Sequence, residues 1–257
     1  GSPGAGGSPG NAGSPGSGGS PGGGNGNVIG LEVTTVEQGL DNPWDIAWLP
    51  NGTPLVTERP GQLNVYGDGF GEPPTLVIAP ADLIANSEGG MLGLEVDPDF
   101  ATNGYVYVCF CSTDGPSTDV RVVRYTLRTP DGGSQQDRVD IITGMPYSNG
   151  RHSGCRPRFG PDGYLWVGTG DGAIAASPQD DDSLGGKVLR VDRDGRAAPG
   201  NPGGRLWYSK GHRNIQGMAF RGADGFGVSA EHGPRVDDEI NELIPGNFGW
   251  DPDGPGY

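Results

Sequence analysis

Positive charge is scarce in this chain: 17 Lys and Arg stand against 32 Asp and Glu over 257 residues, a formal charge of −15. Nucleic acid and anionic bilayers are held by clustered cations, so this balance speaks against both as partners and suits binding of cations such as calcium. Cysteine is also scarce. Cys109, Cys111 and Cys155 have no second pair and no histidine at zinc spacing, which removes a structural zinc site. No apolar run is long enough to span a bilayer, and no initiator methionine or apolar leader is present. No window carries a 3.6-residue apolar stripe, so a helical bundle is excluded. A Gly-x-Ser-x-Gly elbow, a phosphate loop and a dinucleotide fingerprint are all missing, which argues against serine hydrolases, NTPases and nicotinamide enzymes.

What is abundant is glycine and proline, 51 and 24 residues. Part of the excess is local: residues 1–24 are hexads of Gly-Ser-Pro-Gly-x-x with Ser2, Ser8, Ser14 and Ser20 in register. With no side chain larger than alanine to bury, such a segment cannot offset the entropy of ordering. Residues 1–27 are therefore expected to be a flexible tether, and 28–257 the folded domain. A tether of this kind fits an exported protein, periplasmic or extracellular, whose only membrane attachment would run through this linker.

From Asn27 onward the pattern is all-β. Short runs alternate, as in Leu63-Asn64-Val65-Tyr66, or are continuously apolar, as in Tyr105–Phe110, with Gly, Pro, Asp and Asn between them. The same order recurs: a polar cluster, a strand, a turn and two more strands. The clusters include 88–93, 151–156 and 211–217, and the turns fall at Asn51-Gly52, Asp97-Pro98-Asp99, Pro161-Asp162-Gly163 and Asp224-Gly225. A spacing of roughly 50 to 60 residues is that of four-stranded β-propeller blades with one long loop each. Four such units fit within 28–257, and a closed ring expects one or two more blades beyond Tyr257. Cys109 and Cys111, two apart in a strand, share a face, and one of them is placed to bond Cys155. Spacing leaves open which one, or whether all three are buried thiols.

Radial repeats bring equivalent strand ends to one mouth, so the polar clusters are the candidates for chemistry. All three histidines (His152, His212 and His232) fall in them. Imidazole titrates near neutrality, and a base needs a carboxylate to hold its tautomer. Asp171 ends the strand expected to pair back on that of His152. His152 and Arg156, four apart in an extended chain, are expected to share a face. Arg213 and Asn214 suit a ligand rich in carboxylates or carbonyls. Gly233 and Pro234 offer backbone carbonyls to a hard cation. Asp237, Asp238 and Glu239 could hold a second calcium; read blandly, they cap a loop, Asp171 is a turn residue, Arg213 stacks on Trp207 or pairs with Glu231, and Asp180–Asp182 are solvated.

Taken in order, Asn42-Pro43-Trp44, 55–61, 88–93, 152–156, 159–163, 211–217, 231–234, 238–241 and Phe248-Gly249-Trp250 resemble the soluble PQQ-dependent glucose/sorbosone (aldose sugar) dehydrogenases. The resemblance covers roughly Leu40 to Tyr257. It implies a six-bladed propeller with pyrroloquinoline quinone (PQQ) and calcium over the central channel. By the same resemblance His152 is the general base on the sugar C1 hydroxyl, oriented by Asp171. Arg156, Arg213, Asn214 and Gln216 would contact the cofactor, and the carbonyls of Gly233 and Pro234 would hold calcium. Glu88 and Arg151 would face the substrate; glucose-oxidising members carry Gln and Asp there, so the two departures speak against glucose. The implied partners are a sugar and an external electron acceptor. The alternative is a non-catalytic propeller binding carbohydrate or protein. A calcium-dependent lactonase-type propeller fits less well, since it needs clustered carboxylates where this chain has His, Arg and Asn.

Overall fold

The computed structural model describes residues 31–128 and 134–252, so the segment read as a tether, 1–27, lies outside it. Every strand described belongs to one compact unit, Val36–Tyr257. Four small sheets follow one another along it. The first joins β1 (Pro43–Trp48), β2 (Pro54–Glu58), β3 (Gln62–Val65) and β4 (Leu76–Ile78). The second joins β5 (Met91–Val96), β6 (Tyr105–Ser112), β7 (Asp119–Leu127) and β8 (Gln135–Met145), with a single helical turn, α1 (Phe100–Asn103), between β5 and β6. The third holds β9 (Gly154–Phe159), β10 (Leu165–Thr169), β11 (Lys187–Val191) and β12 (Trp207–Lys210). The fourth has β13 (Ile215–Phe220), β14 (Gly227–Glu231) and β15 (Glu239–Glu242), after which β16 (Gly246–Asn247) returns to the outer edge of the third sheet, parallel to β12. These are four blades of a β-propeller, as the repeat predicts.

The first strands of the blades (β1, β5, β9 and β13) neighbour one another in sequence order and form the inner wall. Each blade then packs its faces against the next. β6 makes the physical reason plain: Val106, Val108 and Phe110 point into the core shared with the first blade, whereas Tyr107, Cys109 and Cys111 point into the core shared with the third. Both faces of this strand are covered, which is why its sequence is continuously apolar instead of alternating. β10 is divided likewise, Leu165 and Val167 facing the second blade and Trp166 the fourth.

Covalent and ionic ties cross the blade boundaries. Cys109 of β6 is bonded to Cys155 of β9, and Cys111 remains a buried thiol, which settles the pairing that spacing left open. Asp45 of β1 receives both Arg156 and Arg158 of β9. Among the described residues no helix is long and apolar enough to cross a membrane.

Candidate active site

The inner rim of the third and fourth blades gathers most of the polar residues singled out above. β9 and β10 pair antiparallel as far as Thr169 opposite Gly154. Two residues beyond that pair on each strand stand Asp171 and His152, and the imidazole Nδ1 lies 2.7 Å from Asp171 Oδ1. The backbone is shaped for this meeting. His152, Gly154 and Cys155 all have φ near +50 to +70°, a region costly for residues with a Cβ. Gly170 must be glycine, because a Cβ there would sit 1.7 Å from the His152 carbonyl oxygen. The His152 N–H donates to Glu88 Oε2 at 2.9 Å.

The carboxylate of Asp171 is almost wholly buried, 2% exposed, and each of its oxygens has a donor. Oδ1 also accepts the Ala173 N–H, and Oδ2 accepts the Trp250 indole N–H at 2.8 Å. On the other side of the ring, the Arg213 guanidinium donates to His152 Nε2 at 2.8 Å. A guanidinium has donors only, so Nε2 carries the lone pair and Nδ1 the hydrogen. His152 is therefore neutral in this arrangement, with the tautomer a base needs.

Arg213 is reached through the fourth blade. Its carbonyl accepts the Asp171 N–H at 2.7 Å, and Gly170 bridges to Asn214. Its own N–H donates to Glu231, whose second oxygen accepts from His212 Nδ1 at 2.9 Å. His212 Nε2 in turn meets Ser209 Oγ at 2.9 Å. This Ser–His–Glu set has the connectivity of a nucleophilic triad, but Ser209 and His212 are each 1% exposed, so it braces the third blade against the fourth. The Arg213 side chain also donates to the His232 carbonyl and lies over the Trp250 ring, 5.7 Å from its centroid.

In front of Arg213 opens a cleft of about 330 Å³, walled by Trp250, Phe248, His232, Gly233 and Pro234. Glu231, Asp237 and Glu239 also line it and give it an acidic character. The loop behind Asp171 is anchored by Lys187, fully buried, whose ammonium donates to the carbonyls of Ser177, Pro178 and Gly185. Burial lowers that group to about 8, leaving it charged at neutral pH.

The expected site residues do not all converge. Asn214 is buried and already used: Oδ1 accepts the Gly154 N–H and Nδ2 approaches Glu88. Arg156 does not share a face with His152, because the positive φ values between them break the extended chain. Its guanidinium instead ties Asp45 of β1 to the Gln216 carbonyl of β13. Gln216 lines a neighbouring depression with Ala230 and Ile240 that shares Glu231, His232 and Glu239 with the cleft. Arg151 is exposed at a turn closed onto Ser148. The Gly233 carbonyl accepts from the His232 ring, and Pro234 is exposed beside it. Among the described residues no three His, Cys, Asp or Glu side chains are arranged to hold a metal, so a cation here would rest on backbone carbonyls.

Three bland expectations are revised or kept. Arg213 lies over Trp250, not Trp207, and its backbone, not its guanidinium, meets Glu231. The Asp180–Asp182 run is not merely solvated: Asp181 pairs with Lys210 and Asp182 with Arg205, each at 2.7 Å. Asp238 does cap its loop, accepting the Gly233 N–H. Sequence reasoning missed Trp250 altogether. It lies in the recognisable 248–250 triplet, but only the parallel return of β16 carries it to Asp171.

Residues 40–254 match the family model described as Glucose / Sorbosone dehydrogenase. The aldose sugar dehydrogenase YliI of Escherichia coli is 34% identical over 86% of this chain and 62% of its own length. Quinoprotein glucose dehydrogenase B of Acinetobacter calcoaceticus is 30% identical over 85% of this chain and 52% of its own. Among solved structures, the PQQ-bound aldose sugar dehydrogenase of Streptomyces coelicolor superposes with a TM-score of 0.76 at 36% identity, covering 87% of this chain and 66% of that one. The chain spans about half to three fifths of the length of the curated relatives it matches.

Proposed function

Since the chain belongs to the glucose/sorbosone dehydrogenase family, we propose that it serves as an exported PQQ-dependent sugar dehydrogenase, oxidising the C1 hydroxyl of an aldose-type sugar with His152 as general base. The observation that carries this reading is the buried relay Asp171–His152–Arg213, which opens through its guanidinium onto a cleft with an aromatic wall.

The residues present suit a planar quinone bearing carboxylates. Arg213 offers a fixed fork of donors, and Trp250 an aromatic wall beside it. The acidic lining would repel a polyanion, and a divalent cation held by the Gly233 and Pro234 carbonyls would relieve this. Bound PQQ would supply the two-electron acceptor chemistry.

The chain's own part is proton management and positioning. Asp171, held by three donors, fixes the ring so that Nδ1 keeps its hydrogen and Nε2 presents the lone pair. In the present arrangement that lone pair accepts from Arg213, so the guanidinium has to give up this contact before Nε2 takes a proton from a sugar hydroxyl. A carboxylate or carbonyl ligand in the cleft is the competitor for which its five donors are suited. Glu88 accepts the His152 backbone N–H and so puts a carboxylate close to the base. Acidic sugars are accordingly expected to be poor substrates. An external acceptor completes the turnover.

The test is reduction of an artificial electron dye by the protein mixed with PQQ and calcium, across an aldose panel. His152→Ala is expected to lower the rate by about 10²–10⁴-fold, the usual contribution of a positioned base. An unchanged rate in that variant refutes the base assignment. A direct titration in which no PQQ binds favours the non-catalytic alternative.

A further inference from the structure

Trp250 does more than wall the cleft. Its indole N–H reaches Asp171 Oδ2 at 2.8 Å, its ring lies under the Arg213 guanidinium, and the same ring walls the cleft. It is brought there from the far end of the folded unit by the β16 return. The backbone there is held on both sides: the Trp250 N–H donates to the Gly211 carbonyl, and its carbonyl accepts from Gln179 at 2.8 Å. The indole is therefore aimed at one particular oxygen by backbone bonds on each side of it.

We infer that Trp250 is a positioning residue whose indole N–H sets the basicity of His152 through Asp171. The argument is electrostatic. A carboxylate 2% exposed cannot shed excess charge into water, so its charge density is fixed by its donors. Oδ1 is shared between the His152 ring and the Ala173 N–H, and Oδ2 accepts from Trp250. Removing the indole hydrogen concentrates charge on the carboxylate and strengthens its hold on an imidazolium. The proton affinity of His152 then rises, and less of it is free base near neutral pH. The other charged groups that face the ring are Arg213 at Nε2, which disfavours the imidazolium, and Glu88 on its backbone, which favours it. Arg151, next in the chain, is exposed. None of these accepts the indole N–H, which goes to Asp171, while Arg213 meets only the face of the ring.

This inference rests on His152 being the base, yet its first readout needs neither cofactor nor turnover. The chain has only three histidines, so the imidazole signals of a ¹⁵N-histidine-labelled sample separate cleanly in a pH titration by NMR. Trp250→Phe keeps an aromatic ring at the wall and deletes the N–H together with part of the indole. It is expected to raise the His152 midpoint by about half to one pH unit. In the PQQ-loaded enzyme the acid limb of kcat/KM is expected to move by the same amount. An unmoved His152 midpoint in Trp250→Phe overturns the inference, and reduces Trp250 to a cleft wall. If the variant does not fold, the unaltered protein still decides. The Trp250 indole N–H signal is expected to titrate with the His152 midpoint, and an indole signal that stays flat while the ring titrates also overturns it. A moved midpoint with full activity in His152→Ala would instead refute the base assignment and leave the coupling intact.

Discussion

Replacing Cys109 and Cys155 together by alanine isolates what the cross-blade bond contributes. The bond joins residues 46 apart in sequence and stitches β6 of the second blade to β9 of the third, both cysteines being fully buried. On the chain-entropy relation a closed loop of that size removes about 4 kcal/mol of freedom from the unfolded chain. In a folded unit of this size each kcal/mol moves the melting temperature by about 2–4 °C, so the double variant is expected to melt roughly 8–16 °C lower. The two buried sulfurs are lost as well, so a packing cost adds to this figure. A second consequence is local. Cys155 sits at φ +67°, next to Gly154 and three positions after His152. Freed of its tether, this strained turn has less to hold it, and the His152–Asp171 pair is expected to loosen. Differential scanning calorimetry without thiol reagent gives the first number, and NMR of the His152 ring nitrogens the second. A melting temperature lowered by less than about 3 °C would refute the loop-entropy reasoning.

Two further outcomes follow from close approach and from burial. Gly170→Ala drives a Cβ to 1.7 Å from the His152 carbonyl and against the Asn214 amide, both in a tight backbone crossing. It is expected to cost several kcal/mol and to abolish the His152–Asp171 contact, seen as lost turnover in whatever fraction still folds. Glu95, between Arg158 and the Phe159 N–H, is pushed by burial up to about 7. A carboxyl raised in the fold stabilises fully below its unfolded value near 4.5, and that contribution is lost as pH rises through 7. Glu95→Gln is therefore expected to flatten the fall in stability between pH 5 and pH 8 in denaturant titrations. A variant that keeps the wild-type slope would show that another group carries it.

The propeller is legible in one dimension because its determinants are local and repeated. Turn pairs such as Asp162-Gly163 and Asp224-Gly225 fix hairpins through backbone conformations that glycine alone adopts easily. The continuous apolar run of β6 records burial on both faces, which only a stack of sheets provides. His152 and Asp171 were legible for the same reason, since they stand at matching distances from one hairpin turn.

What lay out of reach were contacts set by how blades turn against one another. Arg156 is four residues from His152, yet its guanidinium ends at Asp45 of the first blade, because consecutive positive φ values rotate the chain between them. Which of Cys109 and Cys111 bonds Cys155 depended on the height at which β9 lies against β6, a quantity no spacing carries. Trp250 reaches Asp171 across 79 positions because two residues of β16 add to the edge of the third blade. Hairpin register is decided by neighbours along the chain, and so the sequence by itself determined the blades and the paired acid and imidazole. Contacts between blades depend on rigid-body packing of whole sheets, and so only the tertiary structure decided what surrounds that pair.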